Sequence, residues 1–231
     1  MKNYDEDFFA GIDSEEKAYW LGFICADGYL NKRCNTVGIC LDIKDLEHLN
    51  KFKKTIKSDK ELKIRKSRYN HNHKETTKVT IEIYSTKMDS DLRKLGLTET
   101  KSNTLGLVKV PDYLMNHFIR GYFDGDGCVF SSFSKKGTKK YVTGGFTFVG
   151  TEMFLNFVNS VLPFQVKSLQ KDKRTEGSYT LYICSRVRFL TMYEYLYQNA
   201  TIYLDRKFEK ANQILKIIKE ASETKEATTQ G

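Results

Sequence analysis

The sequence predicts an α+β fold in which one unit occurs twice. Three observations predict it. Two stretches end alike: Tyr19-Trp20-Leu21-Gly22-Phe23-Ile24-Cys25-Ala26-Asp27-Gly28 and Phe118-Ile119-Arg120-Gly121-Tyr122-Phe123-Asp124-Gly125-Asp126-Gly127 each close an apolar, helix-like segment with a glycine five residues before an Asp-Gly pair. The same succession of elements follows each stretch. The strand-like segments alternate apolar and polar residues, as in an antiparallel sheet with one face buried under helices.

In the first half Asp13 reads as a helix cap, with Glu16 three residues on completing a capping box. The helix then runs to about Ala26. Strands follow near Tyr29–Asn35 and Thr36–Lys44, a helix over Asp45–Lys57, strands near Leu62–Arg68 and Val79–Ser85, and a helix near Thr86–Leu95. Leu62 and Ile64 are expected on the buried face, as are Val79, Ile81 and Ile83. In the second half the motif helix covers Asp112–Gly125. Strands are expected at Cys128–Ser134 and Tyr141–Val149, a helix at Thr151–Val161, and strands at Val166–Lys171 and Tyr179–Cys184. Helices over Ser185–Gln198 and Asp205–Ala221 close the order. The expected organisation is a first repeat over 1–105, a second over 106–221 and a frayed polar tail over 222–231.

The 231 residues carry a formal charge of +9, which favours a polyanion as partner and nucleic acid ahead of a membrane surface. No apolar run is long enough to span a bilayer, and the polar, acidic start does not read as a signal peptide. Five scattered cysteines without a CxxC read as reduced thiols, so an intracellular, cytoplasmic or organellar protein is expected. The polar faces of the sheets and the loops at their rims would carry Lys32, Arg33, Lys63, Arg65, Arg68, Lys135, Lys139, Lys140, Lys167, Lys171 and Arg174. Two basic faces in repeated units point to duplex binding. His71 and His73 lie in a polar loop with too few neighbouring ligands for a metal site. Gly144-Gly145 lacks the Lys-Ser/Thr of a phosphate loop.

Gly22 and Ala26 share a helix face, as do Gly121 and Gly125. Small residues four apart let two helix backbones approach closely. Helices paired that way would deliver Asp27 and Asp126 together, with Gly28 and Gly127 turning the chain sharply out of each. Two carboxylates at helix C-termini repel each other and oppose the helix dipole, so a cation is needed between them. Mg²⁺ (or Mn²⁺) suits: it takes carboxylate, carbonyl, water and phosphate oxygens.

The two stretches resemble the paired signature helices of the LAGLIDADG homing endonucleases, in the single-chain form with two motifs. Phe118 to Gly127 is the closer match; in the first copy Cys25 stands where the family name has Asp. The resemblance spans about Glu16 to Ile218. It implies an αββαββα unit repeated about a pseudo-twofold axis, with a saddle of antiparallel sheets over the DNA major groove. It also implies a monomer acting as a pseudo-dimer, metal on Asp27 and Asp126 with help from the carbonyls of Ala26 and Gly125, and a lysine near each acid. Lys207 and Lys101 match those lysines.

The function so implied is a site-specific double-strand DNA endonuclease that hydrolyses phosphodiester bonds with a divalent metal at the paired aspartates. Two alternatives share the fold: a maturase that binds intron RNA, and a DNA-binding regulator without chemistry. Both acids are intact, which favours the enzyme. The Met start and the Thr-Thr-Gln-Gly end read against a self-splicing intein and for a free-standing or intron-encoded enzyme.

Overall fold

Ser14, not Asp13, opens the first helix. Its hydroxyl accepts the Lys17 N–H at 3.3 Å, while the Asp13 carboxylate pairs with the Lys17 ammonium at 2.9 Å. The cap expected at Asp13 is therefore displaced by one residue, because two cap-competent side chains are adjacent and the second takes the role; this puts Lys17 rather than Glu16 at the third helical position, so the expected capping box does not form. The computed structural model describes residues 4–68, 75–98, 108–136, 139–173 and 175–229; at 67–68, 134–136, 139–141 and 222–229 it describes the backbone. The chain forms two compact units, Met1–Gly125 and Asp126–Gly231.

The first unit runs α1 (Glu15–Asp27), β1 (Gly28–Asn31), β2 (Thr36–Asp42), a 3-10 turn (Ile43–Asp45), α2 (Leu46–Thr55), β3 (Lys63–Arg68), β4 (Glu75–Tyr84) and α3 (Thr86–Lys94). A 3-10 turn at Asp112–Leu114 then leads into α4 (Met115–Asp126). The strands form an antiparallel sheet in the order β1-β2-β4-β3. Val37, Ile39 and Leu41 of β2 and Val79, Ile81 and Ile83 of β4 are buried where α1, α2 and α3 pack on the sheet. Ile64 departs from expectation. It lies on the same face, opposite Val79, yet is 58% exposed, because β3 is the edge strand and the helices cover β2 and β4 instead.

The second unit holds β5 (Gly127–Lys136), β6 (Lys139–Gly150), α5 (Glu152–Val161), β7 (Gln170–Lys171), β8 (Tyr179–Cys184), α6 (Arg186–Tyr197) and α7 (Asp205–Thr229). Its sheet order, β5-β6-β8-β7, repeats that of the first. Phe146, Phe148, Leu181, Ile183 and Phe189 are buried, with the Phe146 and Phe189 rings stacked 5.0 Å apart. The strand expected at Val166–Lys171 shrinks to Gln170–Lys171. Asn159 of α5 takes both backbone groups of Val166, donating to its carbonyl at 2.9 Å and accepting its N–H at 2.8 Å, so Val166 is tied to the helix and withdrawn from the sheet. The tail read as frayed continues α7 to Thr229; Glu223, Lys225, Glu226 and Ala227 are good helix formers.

Candidate active site and sheet faces

The helices α1 and α4 touch backbone to backbone, and the contacts are reciprocal. A Cβ on Gly22 would lie 2.0 Å from the Phe118 carbonyl oxygen and 2.9 Å from the Tyr122 nitrogen. A Cβ on Gly121 would lie 1.9 Å from the Tyr19 oxygen and 2.9 Å from the Phe23 nitrogen. Tyr19 and Phe118 hold the same place in the two stretches, as do Phe23 and Tyr122, so the crossing reads the same from either helix. One step further on, a Cβ on Gly125 would meet the Ala26 methyl at 2.2 Å and Asp27 Oδ2 at 3.4 Å. Only one of these matched positions can carry a methyl, and α1 carries it.

Each helix ends on its acid. Asp27 closes α1 and is half-buried; Asp126 closes α4 and is exposed. The Asp27 carboxylate thus lies against Gly125, the residue before Asp126. Gly28 takes the chain out of α1 without a left-handed backbone: its φ is −78° and its ψ 170°, and β1 starts there. Glycine is needed instead for space, since a Cβ would stand 2.6 Å from Ile24 Cγ2 and 2.8 Å from its carbonyl oxygen.

Lys207 is 6% exposed, in the first turn of α7, and its ammonium donates to the Gly127 carbonyl at 2.6 Å, one residue past Asp126. The turn is held by the Tyr203 and Phe208 rings, stacked 4.0 Å apart, with Tyr197 5.0 Å from Phe208. Lys101 lies outside the described residues.

Sequence reasoning missed a buried polar group at the crossing. Asp124, 1% exposed, accepts from the Tyr19 hydroxyl at 2.7 Å, and that hydroxyl is 3.0 Å from His48 Nε2. Arg120, fully buried, donates to Glu15 Oε1 at 2.6 Å and lies over the Tyr19 ring. Burial, then the Arg120 charge, pushes the His117 imidazole below its usual pKa. The signal was present: charged residues inside an otherwise apolar helix.

The sheet faces away from the helices differ between units. In the first, Tyr29, Gly38 and Glu82 share one rung and Lys63 and Thr80 another. Tyr29 donates to Glu82 Oε1 at 2.7 Å, Lys63 to Oε2 at 2.7 Å and Tyr84 to Oε2 at 3.2 Å. Lys63, then Tyr29, brings the Glu82 carboxyl down to about 2, and Glu82 in turn raises Lys63. Tyr29, Cys40, Lys63, Arg65, Thr80 and Glu82 line a depression of about 190 Å³. Lys32 and Arg33 are exposed in the turn after β1. Arg68 ends β3, and Lys135, Lys139 and Lys140 stand where β5 meets β6. Lys171 shares a rung with Tyr179, and Lys167 is exposed in the irregular segment before β7. Arg174, His71 and His73 lie outside the described residues.

Among the described residues no three His, Cys, Asp or Glu side chains converge as a metal site, all five cysteines are free thiols, and no helix is long and apolar enough to cross a membrane. No protein-family model and no curated protein matches the sequence. Solved structures do match. I-AabMI, a LAGLIDADG meganuclease bound to uncleaved DNA, superposes with a TM-score of 0.60 at 12% identity over 89% of this chain and 91% of its own. I-LtrWI, a LAGLIDADG homing endonuclease bound to target DNA, gives 0.59 at 13% identity over 90% and 92%. I-SmaMI, bound to an uncleaved DNA target with calcium ions, gives 0.59 at 14% identity over 90% and 92%. With both four-stranded sheets and the glycine-mediated helix crossing in place, the chain has the fold of the LAGLIDADG homing endonucleases.

Proposed function

We propose that this protein is a site-specific DNA endonuclease that cuts both strands with divalent metal held by Asp27 and Asp126. The observation that carries the reading is the reciprocal crossing of α1 and α4, in which both helices end on an aspartate and Asp27 Oδ2 lies against Gly125. The DNA-bound state of the neighbouring folds supports a duplex as substrate.

The donor set fits Mg²⁺ or Mn²⁺. Two hard carboxylates and the carbonyls of Ala26 and Gly125 offer oxygen only, leaving room for water and phosphate. When bound, the metal would lower the pKa of water and stabilise charge on the attacked phosphate. The chain's own residues do the rest. Asp27 and Asp126 would hold the cation, each acid closing its own helix. Lys207, fixed on the Gly127 carbonyl, supplies positive charge to the phosphate or polarises the attacking water, and Lys101 is assigned the same role in the first repeat. The basic residues of the sheets and rims hold the backbone by charge. One chain with two repeats supplies both acids, so a monomer suffices.

The test is cleavage of a plasmid carrying the site recovered by selection. Wild type with Mg²⁺ should linearise it. Asp27→Asn or Asp126→Asn should abolish cutting or leave only nicking. Undiminished cleavage by both variants overturns the assignment, and tight binding to structured intron RNA without any DNA cutting would favour the maturase reading.

A further inference from the structure

The two outer sheet faces occupy equivalent places but carry different chemistry. Matching the strands from their first glycines, the rung Tyr29–Gly38–Glu82 corresponds to Cys128–Thr147–Tyr182. The rung Cys40–Thr80–Lys63 corresponds to Val149–Thr180–Gln170. On the first sheet the matched places hold a carboxylate, an ammonium and a phenol tied into one cluster. On the second they hold no charge, and the next rung adds Phe130, stacked on Tyr182 at 5.1 Å. Gly145 lies beneath that ring, where a Cβ would be 2.2 Å from Phe130 Cζ.

Glu82 spends its acceptors inward, on Tyr29, Lys63 and Tyr84. Lys63 gives one N–H to Glu82 and has two more to present outward. Arg65 follows on the same face, two residues along β3, and is exposed. Two residues of strand span roughly 6.8 Å, close to two base-pair steps of about 3.4 Å each. In the major groove the guanine edge offers two acceptors, O6 and N7, to such donors. Phe130 and Val149 have nothing to donate, and Thr147, Thr180, Tyr182 and Gln170 offer neutral groups only; together they suit thymine methyls, adenine edges and groove shape rather than paired guanine acceptors.

Resting on the reading of this protein as a DNA-binding enzyme, we propose that the two halves of its target are read unequally: Lys63, positioned by Glu82, and Arg65 specify guanines in one half, whereas the second sheet reads its half through neutral and apolar groups and groove shape. Glu82 is a positioning residue; it fixes where the Lys63 ammonium points.

The experiment is selection of a randomised DNA duplex library with the full chain, in EDTA so that no strand is cut, followed by sequencing of bound duplexes. Wild type should return a motif sharply specified in one half, with guanine preferred at two positions two steps apart. Glu82→Gln and Lys63→Met, checked for an unchanged melting temperature, should each lower the guanine preference at the same single position by about tenfold, the order of one lost base contact. Positions in the other half should not move. A motif specified equally in both halves overturns the inference while leaving the DNA reading intact. So does a Glu82→Gln variant that weakens all sequences alike, the result of a purely structural role. Failure to enrich any duplex would instead remove the DNA reading itself.

Discussion

Place by place, α1 and α4 differ at residues that face inward. Where α1 has Ala18, Leu21 and Cys25, α4 has His117, Arg120 and Asp124. The backbone crossing is symmetric, yet the polar bonds across it are not. Arg120 reaches Glu15 and Asp124 takes the Tyr19 hydroxyl, and both partners belong to α1. The places that match Glu15 and Tyr19 are Leu114, at the end of the 3-10 turn before α4, and Phe118 of α4, which could serve neither. Glycines alone would let α4 pair with a second copy of itself. Such a pair would bury two guanidinium groups and two carboxylates without those partners, a penalty that selects α1. The symmetric contacts set how closely the helices approach, and the asymmetric ones decide which helices meet.

The largest expected effect is on the symmetric part. Gly22→Ala and Gly121→Ala each drive a methyl to within 2.0 Å of a backbone oxygen, where no side chain can turn aside. Each should destabilise by more than about 3 kcal/mol in denaturant unfolding, beyond ordinary overpacking. Gly11→Ala, with nothing within 4 Å of the new methyl, should be near neutral. Equal, small effects at all three glycines would break the account of the crossing.

The asymmetric part should respond less, and in a pattern. Glu15→Gln leaves the Arg120 charge buried and should lose about 3 kcal/mol. Adding Arg120→Leu, which gives α4 the residue of α1, should recover most of that loss, because an apolar replacement of a buried pair is close to neutral. If the double variant is no more stable than the single, the pair does not act as a unit. Tyr19→Phe should lose about 1–2 kcal/mol by removing a buried hydrogen bond to Asp124. Combined with Asp124→Cys it reproduces the Phe118 and Cys25 combination that stands at the matching places with the two helices exchanged. The double variant should then be more stable than the sum of its parts, as a double-mutant cycle would read out.

How far the sequence reveals this structure depends on the range of each interaction. The glycine spacing, the acids that close both helices and the alternation of Val79, Ile81 and Ile83 are local patterns, and each is legible in a single line of residues. The Asp124–Tyr19 bond is not, since its partners are far apart in the chain and each alone passes for an ordinary helix residue. Val166 looks like the start of a strand until Asn159 claims its backbone. Lys63 and Arg65 were expected on a basic face, but the carboxylate that organises Lys63 could be placed only once the register set Tyr29 and Glu82 on one rung. Patterns within an element are written in sequence order; pairings between elements need the register.

The smallest expected effect is a pH dependence confined to α4. Glu15, Glu16 and Arg120 are the charged groups acting on His117; Arg120 adds to the burial that lowers its pKa, and the two glutamates oppose it. With the folded pKa below the ordinary value of about 6.5, the unfolded chain takes up the proton first as the solution is acidified. The stability that neutral His117 permits is therefore complete above about pH 6.5 and declines below it. Melting temperatures followed from pH 7.5 down to 5.5 should fall in wild type and fall less in His117→Ala, the variant that gives α4 the Ala18 of α1. An unchanged slope in that variant would assign the acid sensitivity elsewhere and reduce the ionised character of α4 to the Arg120 and Asp124 contacts alone.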